Sequence, residues 1–105
     1  MKAYELLFSP QAWCQDSPAR NAQGQNVHAL DPSAVQWCAL AAIQKVYPSE
    51  QWEEKMDCLL RALSVSEAGL ERLTTTDKVC CLMEWNDDSR CSFSDIREIL
   101  LAADL

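Results

Sequence analysis

Apolar residues recur at helical spacing along most of this chain. Trp52, Met56, Leu59, Leu60 and Leu63 fall at i, i+4, i+7, i+8 and i+11, a single stripe. A helix is therefore expected from a Ser49 cap to about Leu63. Phe93, Ile96, Ile99, Leu100 and Ala103 form another stripe, opened by Ser92 or Ser94. A further helix is expected from Asp77 to Trp85, capped by Thr76, with Val79, Leu82 and Met83 inward. Asn86-Asp87-Asp88-Ser89 should stop it, because Asn tolerates the left-handed conformation common at helix ends. Ser64 to Leu73 reads as a short helix with Leu70 and Leu73 inward, weakened by Gly69. At the start, Lys2 to Phe8 is helical and Pro10 ends it.

The remaining third carries two expectations. Asp31-Pro32 has the form of a helix start, an N-cap acceptor followed by proline at N1, so a helix should run from there to Tyr47, before Pro48. Apolar residues surround it on nearly all sides between Trp37 and Ile43, which makes it the central, most buried helix. Residues 10 to 31 lack any period, though Trp13, Val27 and Leu30 can anchor them to a core. Arg20 to Gly24 can turn a small hairpin between Ala12–Gln15 and Gln25–His28. The prediction is an all-α fold: a compact single-domain bundle of about five helices, with an irregular segment at 10–31.

Composition narrows the functions. The 105 residues suffice for one core, and two glycines and four prolines argue against low complexity. Nine Lys and Arg against sixteen Asp and Glu leave a net charge of −7. That balance opposes direct nucleic-acid binding, which needs a basic stripe to displace counterions from phosphates. Leu6-Leu7-Phe8 is too short for a signal-peptide core, and the longest apolar run, Trp37 to Ile43, is too short to span a bilayer. A soluble, cytoplasmic protein without membrane association is expected.

Candidate chemistry is sparse. Cys14, Cys38, Cys58, Cys80, Cys81 and Cys91 lack the paired spacing of a zinc site, and without a secretory signal they should stay reduced as small hydrophobes. His28 is the single histidine, so any Cys–His nucleophile would pair it with Cys14 or Cys38. Glu84, Asn86, Asp87 and Asp88 offer oxygens to a hard cation but lack the ligand alternation and glycine of a calcium loop. No catalytic residue, metal ligand or cofactor is assigned. A thiol- or metal-dependent protein using Cys14, His28, Cys38 or Cys91 is the alternative, and a homodimeric structural protein is another.

Glu50, Glu53, Glu54 and Asp57 carry a stronger signal. They sit at helical neighbour spacings with only Lys55 interleaved, and like charges at i,i+4 cost stability unless solvated or used. They are a candidate partner-binding face, and Trp13, in the irregular segment, is either a core plug or an exposed anchor.

Trp13-Cys14, Gly24, Asp31-Pro32, Ala34-Val35, Trp37-Cys38-Ala39, Trp85-Asn86-Asp87 and Ser94-Asp95-Ile96 through Leu100 form a series over most of the chain. It resembles a small helical family of unknown function found in phages and bacteria, with W-C-A and W-N-D motifs; Ala41 stands where that family's central helix often has glycine. The resemblance implies a shared fold and a prokaryotic or phage setting, and brings no catalytic residues. The expected function is macromolecular binding without enzyme activity, in the form of an antagonist or modulator of a host defence complex. The partner would be a host protein or ribonucleoprotein complex met through a basic surface, by a monomer or homodimer.

Overall fold

The computed structural model describes all 105 residues. The fold consists of six helices and a small antiparallel sheet: α1 (Ala3–Leu6), β1 (Ala19–Asn21), β2 (Asn26–Val27), β3 (Ala34–Trp37), α2 (Ala39–Val46), α3 (Trp52–Ala62), α4 (Glu67–Arg72), α5 (Thr75–Asp87) and α6 (Phe93–Ala102). Short 3-10 turns at Pro10–Ala12 and Ser49–Gln51 precede Trp13 and α3. The sheet order is β2-β1-β3. The fold is therefore mixed α/β, and the all-α expectation is wrong.

The error lies at Asp31-Pro32. Asp31 Oδ1 accepts the backbone N–H and the hydroxyl of Ser33 at 2.8 and 2.7 Å, and its carbonyl accepts Ala34 N–H at 3.0 Å. This is a tight turn, and Asp followed by Pro at its second position suits a turn as well as a helix cap. Beyond it the chain extends as β3, pairing Ala19 with Trp37 and Arg20 with Gln36. The helix begins only at Ala39, where Cys38 Sγ accepts Ala41 N–H at 3.3 Å as N-cap.

The hairpin turn is where expected, with Gly24 at φ +77 allowing the reversal. Its arms differ: β1 at 19–21 pairs with β2 at 26–27. The expected first arm, Ala12–Gln15, instead makes an isolated parallel bridge from Trp13 to Trp37 and covers the outer edge of β3.

α2 is the centre, as its sequence implied. Ala39 to Ile43 are all buried, and α1, α3, α5 and β3 pack around them. Ile43, Leu59, Leu82, Ile96 and Leu100 are fully buried. Each such side chain contributes roughly 1.5–3 kcal/mol of burial energy.

α3 follows the predicted stripe, with Met56, Leu59 and Leu60 buried and Trp52 and Leu63 half-buried. On α5, Leu82 is buried, Val79 is half-buried and Met83 is exposed. α5 starts earlier and ends later than predicted. Thr74, rather than Thr76, caps it in a reciprocal box with Asp77. Asn86 and Asp87 lie inside its last turn, because tertiary hydrogen bonds hold that turn helical. Ser92 and Asp95 form the same box at α6.

Candidate functional site

Four groups of residues compete for a functional role, and the first is structural. Asn86 is fully buried at the end of α5. Its Oδ1 accepts the indole N–H of Trp13 at 2.8 Å and the backbone N–H of Ala39 at 2.9 Å. Its Nδ2 donates to Cys14 O at 3.1 Å and Asp87 Oδ1 at 2.9 Å. Gln15 Nε2 then donates to the carbonyls of Asn86 and Asp88, and Asp87 Oδ1 accepts Asp16 N–H. The W-C and W-N-D segments thus interlock at the start of α2. Trp13 is half-buried, with its ring centroid 6.3 Å from that of Phe93 and its N–H already taken. Of the residues considered for a hard cation, Asn86 and Asp87 serve this lock, Asp88 holds Arg90, and Glu84 is exposed.

The expected acid face divides in two, with Glu50 in the 3-10 turn before α3 and Glu53, Glu54 and Asp57 on the helix itself. Glu53 and Asp57 turn to α5, where Lys78 Nζ lies 3.4 Å from Glu53 and 2.9 Å from Asp57. Thr75 donates its hydroxyl to Glu53 at 2.6 Å. That hydroxyl, then Lys78, holds the Glu53 carboxyl below the usual range, and Asp57 leads in pushing the Lys78 ammonium up. Glu50 and Glu54 remain exposed, with neither a hydrogen bond nor an ion pair. Lys55 is drawn over the Tyr47 ring, 5.0 Å from its centroid.

The thiols are dispersed. Cys14 and Cys38 are buried, Cys58 and Cys91 half-buried, and Cys80 and Cys81 exposed. Burial, with the nearby Cys38, pushes the Cys14 thiol up to about 11, and burial also raises Cys38. Both thiols are therefore protonated and unreactive at neutral pH. His28 is exposed and accepts Leu30 N–H on Nδ1 at 3.1 Å. No three His, Cys, Asp or Glu side chains converge as a metal site would require.

The fourth group was not anticipated from sequence. An open cleft of about 470 Å³ lies between the end of α3, α5, the 88–91 turn and α6. Leu63, Trp85, Cys91 and Ile99 supply its apolar lining, and Asp88, Arg90, Asp95 and Glu98 its polar one. The indoles of Trp13, Trp37 and Trp52 donate to Asn86 Oδ1, Ala29 O and Tyr47 O. Trp85 makes no such bond. The sequence signal was available in Ile99 and Glu98 on adjoining faces of one helix, but the opposite wall comes from residues 63 and 85, which no local pattern connects to them.

Residues 1–104 match the model of DUF6197, a family of unknown function. The chain belongs to DUF6197. No curated protein and no solved structure matches it. In this DUF6197 chain, the Trp-Cys and Trp-Asn-Asp segments that carried the resemblance are bonded to one another. They hold the fold and leave the acid edge of α3 and the cleft as the outward-facing candidates. None of the six helices is long and apolar enough to cross a membrane.

Proposed function

We propose that this DUF6197 protein acts by binding another macromolecule, docking through carboxylates on a basic protein surface, and catalyses no reaction. The observation that carries this reading is the division of the acids between Glu50 and Asp57, in α3 and the turn before it. Lys78 takes up Glu53 and Asp57, while Glu50 and Glu54 stand exposed without a cation. Uncompensated surface charge of one sign steers association with an oppositely charged partner. In its finer form, the protein works in the cytoplasm of a prokaryote as an antagonist or modulator of a host protein or ribonucleoprotein complex. The phage-type resemblance of its motifs supports that form.

Charge reversal tests the reading. The native protein and the double variant Glu50→Lys/Glu54→Lys are compared as baits for host lysate at low salt. Both are compared again at about 1 M salt, where the Debye length is about 3 Å. A specific partner captured by the native protein at low salt, and lost with the double variant or with salt, is the expected result. Equal capture by both proteins, or none at either salt, overturns the reading. Glu53 is left unchanged because its reversal would disturb the Lys78 contact between α3 and α5.

A further inference from the structure

Resting on that binding reading, we propose that the cleft between α3, α5 and α6 receives an arginine side chain carried by a segment of the partner protein. Its volume, about 470 Å³, falls within the range of sites that bury a ligand. Leu63, Trp85 and Ile99 provide apolar surface for an aliphatic stem. Three carboxylates, from Asp88, Asp95 and Glu98, stand against the one guanidinium of Arg90, so the polar lining is net negative.

Those carboxylates are not equally engaged. Asp88 is chelated by Arg90, with Nε to Oδ1 at 3.1 Å and Nη2 to Oδ2 at 3.0 Å. Asp95 uses Oδ2 to accept Ser92 N–H at 2.9 Å, which leaves Oδ1. Glu98 has no ion pair in the chain. Asp95 and Glu98 are three residues apart on α6 and share a face, so one incoming cation can meet both.

Trp85 is the second, independent observation. It is the one indole of four without an internal acceptor, and it lines this cleft. A tryptophan with an apolar body and a free N–H is the residue type most used as an interface anchor. The free N–H can donate to a peptide carbonyl of the incoming segment. Arginine fits better than lysine because its planar fork matches two carboxylate oxygens and its flat face stacks on an aromatic ring. The Asp88–Arg90 pair is the same chemistry already present in the polar lining.

The test uses the intact protein and three capped peptides, each with two leucines flanking arginine, lysine or citrulline. Nitrogen–proton correlation spectra are recorded as millimolar peptide is added. With the arginine peptide, shifts are expected at the Trp85 indole N–H and the amides of residues 95–99, together with slower alkylation of Cys91. Binding should weaken about threefold with lysine and disappear with citrulline. Glu98→Gln should weaken it about fivefold and Glu98→Arg about tenfold, both at a solvent-exposed position. Absence of shifts, equal binding of the citrulline peptide, or shifts confined to residues near Glu50 and Glu54 would overturn the assignment of the cleft. The titration needs no native partner, so its failure is separable from failure of partner capture.

Discussion

Trp13 donates its indole N–H to Oδ1 of Asn86 at 2.8 Å, joining two motifs that lie 73 positions apart. The same oxygen takes the first N–H of α2, so one side chain fixes the irregular segment, the end of α5 and the start of the central helix. Asn86→Ala leaves buried donors without acceptors, at a cost of about 2–4 kcal/mol. A large fall in the urea midpoint is expected, with the Trp13 indole resonance losing its native position. Asn86→Asp keeps the oxygen that accepts both N–H groups but loses the donor to Cys14 O and Asp87 Oδ1 and buries a charge, so it should not restore stability at neutral pH. An unchanged midpoint in Asn86→Ala would contradict this role.

Lys78 joins α5 to α3 through Asp57 and Glu53. Lys78→Met keeps the buried stem but leaves two carboxylates facing each other one helical turn apart. The melting temperature should fall by roughly 4–8 °C. Adding Asp57→Asn should recover part of the loss, because it removes the repulsion. Calorimetry on the two variants decides the matter.

Thiol reactivity should follow burial and proton affinity. Brief alkylation at neutral pH is expected to label Cys80 and Cys81 first, with Cys58 and Cys91 slower. Burial, then the nearby carboxylates Asp95 and Asp88, raises the Cys91 thiol and slows it further. Cys14 and Cys38 should react only on unfolding. Mass spectrometry of the labelled peptides gives the order directly, and early labelling of Cys14 would contradict the packing described.

Stability should be greatest between weak acid and mild base. The Asp88 carboxyl is lowered to about 2 by Arg90, and Asp104 and Glu67 are lowered by Lys2 and Arg61. These groups bind protons less readily when folded. Their contribution is present above the ordinary carboxylate range near pH 4 and is lost as pH falls toward 2. The Cys14 thiol, raised from 9.0 to about 11, has the opposite sign. Its contribution is complete below pH 9 and is lost as pH rises to about 11. Urea midpoints across this range should trace a plateau with losses on both sides, and Cys14→Ala should flatten the alkaline one.

Local patterns located most of the helical part. The stripe from Trp52 to Leu63, a cap at Ser92 or Ser94 and the buried run from Trp37 to Ile43 all rest on local spacing; the structure reproduces the stripe, selects Ser92, and keeps the run buried but helical only from Ala39. Asp31-Pro32 was ambiguous because a turn and a helix start satisfy the same donors with the same side chain. Pairing with Ala19–Asn21 decided between them. Sequence alone singles out Trp13 as the candidate anchor and not Trp85; what separates them is the hydrogen bond from Trp13 to Asn86, which depends on the fold.

By itself, then, the sequence determined the apolar faces, a serine cap for the last helix and the acid excess, which depend on neighbours within a few residues; the caps expected at Asp31, Ser49 and Thr76 were not kept. The tertiary structure decided that Ala34–Trp37 is a strand, that Lys78 occupies Glu53 and Asp57, and that Trp85 lines a cleft. Each of those outcomes turns on a partner tens of positions away. Hydrogen bonds and charges are satisfied by whichever groups the fold brings within reach, and one-dimensional spacing does not contain that distance.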